Sequence, residues 1–429
     1  MADSIEITPV AGPLDARLRP PGSKSITNRA LVCAALAEGD SELRGALDSE
    51  DTRVMIRALN ELGIRVEADD AGRTLRITGC GGKIPADRAE LFVANSGTTM
   101  RFLTALAALG SGEYRLDGVA RMRERPIGDL IEALEALGAR VQCEAAAGCP
   151  PVVVRANGLR GGRATVRGDV SSQFLSGLLM AAPYAQTPVE LKIVGELVSV
   201  PYVSLTQRVM ESFGGETIAA ADHSFISVAN DRRYRGRQYE IEPDASAASY
   251  FFAAAAIVGG RVTVEGLNRH SLQGDVAFCD CLQAMGARVT YEPDSITVKG
   301  DWLKGIDVDM NAISDTVQTL AVTALFAQGP TRIRRVGHIR HKETDRLAAT
   351  ATELRKLGAT VEETSDGLAI IPGPLQGAVI DTYHDHRMAM SFALAGLKAA
   401  NVVIRDPGCV AKTYPAFFDD LRRVTQRSA

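Results

Sequence analysis

Six short polar segments interrupt a chain otherwise rich in Ala and Leu: PPGSKSITNR, ANSGTTMR, DVSSQF, PDASAAS, ISDTVQ and YHDHRM. Each stands where an apolar helical pattern begins. A helix start presents free N–H groups and the positive end of the helix dipole, and so draws anions. Ser, Thr and Asp at such places are ordinary caps, and Ser246 and Ser314 are expected to be no more than that. Lys24, Arg29, Arg101 and Arg387 are different. A cation in the first turn opposes the dipole, so an anionic ligand is the expected reason for it. Further basic residues stand in segments with few aliphatic neighbours: Arg121, Arg123 and Arg125 in ARMRERPIG, Lys342 and Arg346 in RHKETDR, Lys412 in VAKTYP. Any one of them alone reads as a solvated surface charge. Their recurrence at related places predicts a cleft in which several converge on carboxylate or phosphate groups.

Other chemistries find little support. PGSKS lacks the wide glycine spacing and the GK[ST] ending of a nucleotide-binding P-loop. There is no GxSxG and no HExxH. His384 and His386 are two residues apart with no third ligand nearby, and no CxxC pair exists, so no metal site is expected. The seven cysteines are scattered and odd in number, which predicts free thiols in a reducing compartment. Cys279 and Cys281, two apart in a helical pattern, are expected on different faces of it. Lys+Arg is 48 against Asp+Glu 52, a net charge of −4, and aromatics are 5%. Neither a basic field nor stacking platforms are offered to nucleic acid. The longest apolar stretch, residues 250–258, is too short to span a bilayer. The start MADSIEITPV has neither the basic nor the apolar region of a signal peptide, so a cytoplasmic location is expected.

The elements that must position these residues repeat. With 429 residues, two or three domains are expected. Six times a nearly all-apolar helix opens after Ser, Thr or Asp, ends near a Gly and runs into a short strand that closes on another Gly. The closing glycines are Gly45, Gly118, Gly195, Gly266, Gly337 and Gly408, spaced by roughly 70 residues. An amphipathic helix follows, as in VMIRALNELGIRVE, LIEALEALGARVQ, CDCLQAMGARVTY and TATELRKLGATVEE. Gly63, Gly138, Gly286 and Gly358 fit a left-handed position after these helices. The first helix of each unit is expected to be buried on every side and the second to be partly exposed. Residues 230–244, NDRRYRGRQYEIEPD, are polar and charged and divide units one to three from four to six.

At these motifs the sequence resembles the 5-enolpyruvylshikimate-3-phosphate (EPSP) synthase family. The segments that carry the resemblance are PGSKSITNRAL, NSGTTMR, RMRERPIG, DVSSQF, VSVPY, ISDTVQTLA, HKETDRL, YHDHRMAM and DPGCVAKTYP. They occur in family order and span nearly the whole chain. The resemblance implies an α/β fold: a two-domain inside-out barrel of six repeats, three per domain, with helices buried and sheets outside. One domain would comprise residues 1–22 and 242–429 and the other residues 23–241, with crossovers near 21–24 and 240–244. It also implies transfer of the enolpyruvyl group of phosphoenolpyruvate to the 5-hydroxyl of shikimate 3-phosphate, with release of phosphate and no metal or organic cofactor. We expect a monomer with small-molecule substrates as its only partners.

Carried over by position, the resemblance assigns shikimate 3-phosphate to Lys24, Ser25, Arg29, Ser171, Ser172, Gln173, Ser199, Tyr202, Asp315, His338 and Lys342. Phosphoenolpyruvate falls to Lys24, Asn95, Gly97, Arg125, Gln173, Arg346, His386, Arg387 and Lys412. Asp315, Glu343, Lys24 and Lys412 are the implied proton-transfer groups. His338 stands where many members carry Asn, which introduces a titratable imidazole and an expected pH dependence. Phe102 follows Arg101 where Pro is common. The chemistry suits these residue types. Two substrates that each carry a carboxylate and a phosphate need several fixed cations, and addition–elimination needs an acid and a base. Cations shared between two domains predict closure on an anionic substrate.

Two alternatives have specific discriminators. The related transferase acting on UDP-N-acetylglucosamine carries Cys or Asp five residues before the arginine matching Arg125, where this chain has Ala120. A non-catalytic repeat protein would have no need of Asp315, Glu343 and six cations.

Overall fold

The computed structural model describes residues 3–145 and 148–426. The chain divides into two compact units, Gly22–Ile241 and Met1–Pro21 with Glu242–Ala429. The fold is mixed α/β.

In the first unit lie helices α1 (Lys24–Leu36), α2 (Glu50–Glu61), α3 (Gly97–Ala107), α4 (Gly128–Ala136), α5 (Ser172–Ala181) and α6 (Val200–Ser212). Its three sheets are four-stranded. In sheet order they run Gln238–Glu240, Asp40–Arg44, Thr74–Thr78, Val66–Ala68; then Arg88–Phe92, Ser111–Asp117, Val152–Asn157, Arg140–Cys143; then Gly162–Arg167, Val189–Val194, Phe225–Val228, Thr217–Ala219. In each, the first pair is parallel and the other two are antiparallel.

The second unit holds α7 (Ala245–Val258), α8 (Phe278–Met285), α9 (Val317–Thr323), α10 (Arg346–Lys356), α11 (His386–Gly396) and α12 (Phe417–Thr425). Leu14–Leu18 pairs in parallel with Gly260–Glu265, followed by Ser295–Gly300 and Arg288–Glu292 in antiparallel. Asp307–Asp309, Thr331–Arg334, Leu368–Ile371 and Thr360–Glu363 repeat that order. The third sheet is shorter: Val379–Ile380 lies parallel to Val402–Arg405, which pairs antiparallel with Ser4–Ile7.

Sequence pattern accounts for which helices go inside. The segment SAASYFFAAAAIV has no polar face, and α7 is buried along all but its last residue. Helices α3, α9 and α11 are buried throughout, α1 from Ile26 onward and α5 at all but Gln173. The alternate helices bury one stripe; in α2 these are Asp51, Thr52, Val54, Met55, Ala58 and Leu59. Ser49 caps α2 by a reciprocal capping box with Thr52. Cys279 and Cys281 are both buried in α8, and all seven cysteines are free thiols. Among the described residues no helix is long and apolar enough to cross a membrane.

Candidate active site

In the unit of residues 22–241, the start of α1 gathers the first cluster. Ser23 caps the helix, its Oγ accepting from the Ile26 amide at 3.4 Å. Lys24, the first helical residue, lies 3.6 Å from the buried Asp51 carboxylate in the first turn of α2. Arg29 is buried one turn on. Its guanidinium donates to Thr206 Oγ1 (2.7 Å), the Ser25 carbonyl (3.0 Å), Ser176 Oγ (3.2 Å) and the Tyr202 carbonyl (3.2 Å). It lies 5.2 Å from the Phe102 ring centre and 5.8 Å from that of Tyr202. Among the described residues no carboxylate pairs with it. Burial brings its guanidinium down to about 10. A buried cation held only by neutral groups is a strong electrostatic demand for an anion. Ser199 stands just ahead of α6, the helix that carries Tyr202 and Thr206, with a left-handed φ of 54°.

The start of α3 builds the second cluster. Ser96 caps it, accepting from the Thr99 amide. The Arg125 guanidinium donates to the Asn95 carbonyl at 3.0 Å and to its Oδ1 at 3.2 Å. Arg101 donates to the Pro126 carbonyl at 2.6 Å and to the Gly97 carbonyl at 3.3 Å. A methyl group on Gly97 would stand 2.4 Å from Arg125 Nη2 and 2.7 Å from Arg101 Nη1. Glycine therefore lets two buried guanidinium groups sit over the positive end of a helix, an arrangement suited to a phosphate or carboxylate. Gln173, at the start of α5 beyond the capping Ser171, donates to Thr98 Oγ1 at 3.3 Å, and Ser172 beside it is buried. Arg121 pairs with Glu124 at 2.8 Å and Arg123 with the buried Asp117 at 2.7 Å.

The other unit concentrates charge of both signs. Arg346, at the start of α10, is 1% exposed. It donates to Asp385 (2.7 and 3.2 Å), Glu343 (2.9 Å) and Asp315 (3.3 Å). Burial alone would weaken its hold on its proton; Asp385, Glu343 and Asp315 more than reverse that. Asp315 lies in the short helical turn Asn311–Thr316 and also accepts from Arg387 at 2.7 Å, with Lys342 at 3.8 Å. Arg387 lies in the first turn of α11, whose cap is Asp385, and it reaches the Tyr250 hydroxyl at 3.4 Å. His386 is fully buried, its Nδ1 3.6 Å from Asp385 Oδ1. Lys412 is buried in the turn Pro407–Lys412, which packs on α11. Arg340 fixes the segment that carries Lys342 and Glu343. It donates to both Asp345 carboxylate oxygens (3.0 and 2.8 Å) and to the Thr364 and Ser365 carbonyls (2.7 and 3.1 Å).

Three expectations are corrected here. Ser246 does not cap α7. Asp244 does, accepting from the Ala247 amide at 2.8 Å, while the Ser246 hydroxyl bonds the buried Asp275 carboxylate. Ser314 likewise lies inside the turn Asn311–Thr316 and not at a helix cap. His338 does not titrate near neutrality: burial, aided by Lys342, lowers its imidazole to about 3.

Lys24, Ser25, Arg29, Asn95, Gly97, Arg125, Ser171, Ser172, Gln173, Ser199 and Tyr202 thus belong to one unit. Asp315, His338, Lys342, Glu343, Arg346, His386, Arg387 and Lys412 belong to the other. Sequence reasoning missed Asp51, Ser176, Thr206, Asp275 and Asp385. Asp385 was within reach, since it stands in YHDHRM beside two residues that were singled out. Ser176 and Thr206 carry no local signal.

A family model described as EPSP synthase (3-phosphoshikimate 1-carboxyvinyltransferase) matches residues 9–421. The 3-phosphoshikimate 1-carboxyvinyltransferase of Nostoc punctiforme is 52% identical over 417 residues, 97% of this chain and 98% of that protein. The chloroplastic 3-phosphoshikimate 1-carboxyvinyltransferase of Arabidopsis thaliana is 49% identical over 425 residues, 95% of this chain and 82% of that protein. The solved structure of EPSP synthase from Acinetobacter baumannii is similar with a TM-score of 0.83 at 27% identity, covering 99% of this chain and 98% of that one.

Proposed function

Because the chain belongs to the EPSP synthase family, we infer that it transfers the enolpyruvyl group of phosphoenolpyruvate to the 5-hydroxyl of shikimate 3-phosphate and releases phosphate, a step of the shikimate pathway. The observation in the fold that best supports this reading is Asp315, a carboxylate held by Arg387 and Arg346 beside Lys342 and Glu343. A base fixed among cations is what attack by a hydroxyl on anionic phosphoenolpyruvate requires.

On this reading Asp315 accepts the proton of the 5-hydroxyl. Glu343 and Lys412, with Lys24, carry the proton to and from the methylene carbon of phosphoenolpyruvate. Addition makes a tetrahedral adduct; elimination returns that proton and expels phosphate. Lys24, Ser25, Arg29, Ser171, Ser172, Gln173, Ser199, Tyr202, Asp315, His338 and Lys342 hold shikimate 3-phosphate. His338 serves as a neutral hydrogen-bonding group there, in keeping with its low proton affinity. Phosphoenolpyruvate is held by Lys24, Asn95, Gly97, Arg125, Gln173, Arg346, His386, Arg387 and Lys412. Salt-bridged arginines such as Arg346 and Arg387 exchange some carboxylate contacts for substrate oxygens.

The finer architecture belongs to the same proposal: two domains, residues 1–22 with 242–429 and residues 23–241, each of three repeats in an inside-out barrel. The recurring order of one parallel and two antiparallel pairs supports it. The enzyme acts as a cytoplasmic monomer on small molecules.

Phosphate release tests the reading directly. The purified chain is given phosphoenolpyruvate with either shikimate 3-phosphate or UDP-N-acetylglucosamine. Release with shikimate 3-phosphate alone, falling roughly 10³-fold in kcat in Asp315→Ala, is expected. Release with the nucleotide sugar alone would overturn the acceptor, and an unimpaired Asp315→Ala would overturn the base.

A further inference from the structure

Asp275 is a buried carboxylate outside every motif singled out above. It lies in the turn Gly274–Ala277, which packs on α7 and on the turn Asn311–Thr316 that carries Asp315. The segment is pinned in place. Gln273 accepts from the Ala245 amide at 3.0 Å and donates to the Pro243 carbonyl at 2.6 Å, and Ser246 Oγ bonds Asp275 Oδ2. Four groups bear on the carboxylate from the elements around it: Ser246 on α7, Asp315 on its own turn, Arg387 on α11 and Asp244 ahead of α7.

We propose that Asp275 is a positioning residue for Asp315: ionised and tied to Ser246, it supplies the negative field under which Asp315 takes the proton of the substrate hydroxyl. This rests on the functional reading given above. Asp315 touches two guanidinium groups and lies near an ammonium. Cations in contact weaken a carboxylate as a base, and a second carboxylate close by offsets them. Asp275 is built for that role. It lies on the turn that packs on the one carrying Asp315, and its bond to Ser246 stabilises the ionised form without adding a charge. Burial first, then the charge of Asp315, push its carboxyl up to about 6, so it ionises just below neutrality. Above that pH Asp315 works beside a second negative charge; below it the support is lost.

The test is the pH profile of kcat/KM for phosphate release in the unaltered chain, Asp275→Asn and Ser246→Ala. Substrate phosphates titrate in the same range, so the difference between proteins carries the result. Asp275→Asn keeps the shape and removes the charge. Its plateau is expected to fall about tenfold and its acid limb to move to lower pH. Ser246→Ala removes the donor that stabilises ionised Asp275, and its acid limb is expected to move to higher pH. Loss of packing alone does not displace two limbs in opposite directions. Unshifted limbs, or limbs displaced the same way, would overturn the role of Asp275 while leaving the reaction intact. An unaltered chain that releases no phosphate from phosphoenolpyruvate with either acceptor would overturn the functional reading itself. An arm without substrate separates the two cases. The folded carboxyl binds its proton more tightly than the unfolded one, so its stabilising contribution is present at low pH and is lost as pH rises through about 6. The Tm of Asp275→Asn minus that of the unaltered chain should therefore be larger at pH 8 than at pH 4.5. A difference that is flat with pH would show that Asp275 holds no such proton.

Discussion

Two buried arginines, one in each unit, are held by opposite kinds of partner. Arg29 is held by two hydroxyls and two carbonyls, with the Phe102 and Tyr202 ring centres 5.2 and 5.8 Å away. Arg346 is held by three carboxylates. Burial weakens the first as a proton-holder, and neighbours strengthen the second beyond its ordinary value. A guanidinium among neutral acceptors keeps its orientation and leaves its charge unspent, ready for a ligand. A guanidinium among carboxylates has spent its charge inside the protein. Its work is to fix Asp315, Glu343 and Asp385 relative to one another, and only secondarily to receive an anion.

Substitution sharpens this contrast. Arg346→Met should have the largest effect. It leaves three carboxylates crowded without their common cation, and we expect a loss of about 3–5 kcal/mol in stability together with a roughly 10³-fold fall in kcat. Urea unfolding and steady-state phosphate release measure the two. Arg29→Met should keep its fold, with stability within about 1 kcal/mol of the unaltered chain, because no partner charge is stranded. Its cost should appear as a roughly 100-fold rise in KM for shikimate 3-phosphate, with kcat changed less. If Arg29→Met unfolds as readily as Arg346→Met, the distinction between a spent and an unspent charge fails.

A smaller effect is expected at His338. Its imidazole is held near 3 when folded and rises to about 6.5 when the chain unfolds. Stability from keeping it neutral is full above pH 6.5 and is lost as pH falls from there towards 3. Between pH 7 and 4.5 that loss is about 2–3 kcal/mol, and His338→Asn should abolish it. Denaturant midpoints at the two pH values give the comparison. In the same variant the pH profile of turnover above pH 5 should keep its shape.

What was legible in the sequence follows how local each feature is. LIEALEALGARVQ announces an amphipathic helix and its stop, and α4 runs from Gly128 to Ala136 with Gly138 at a φ of +97°. The apolar α7 is visible because no face of it can meet water. The start of α7 shows the limit. Asp244, Ser246 and Ser249 all have side chains able to cap, and pattern alone does not choose among them. The structure does, because Asp275 arrives from residues 274–277 and takes the Ser246 hydroxyl. Arg29 shows the same limit on a larger scale: its anion-seeking character depends on Ser176 and Thr206, 147 and 177 residues away in sequence.

By itself the sequence determined the helices, their buried or half-exposed character and the family to which the chain belongs, since these rest on periodicity, caps and short motifs whose partners lie within a few residues. Tertiary structure alone decided which cations are already neutralised and which are left for a ligand. It also decided which serine caps a helix, and that His338 stays neutral. The physical reason is that a charge's behaviour depends on the groups within a few ångströms of it, and at this site those groups come from distant stretches of the chain.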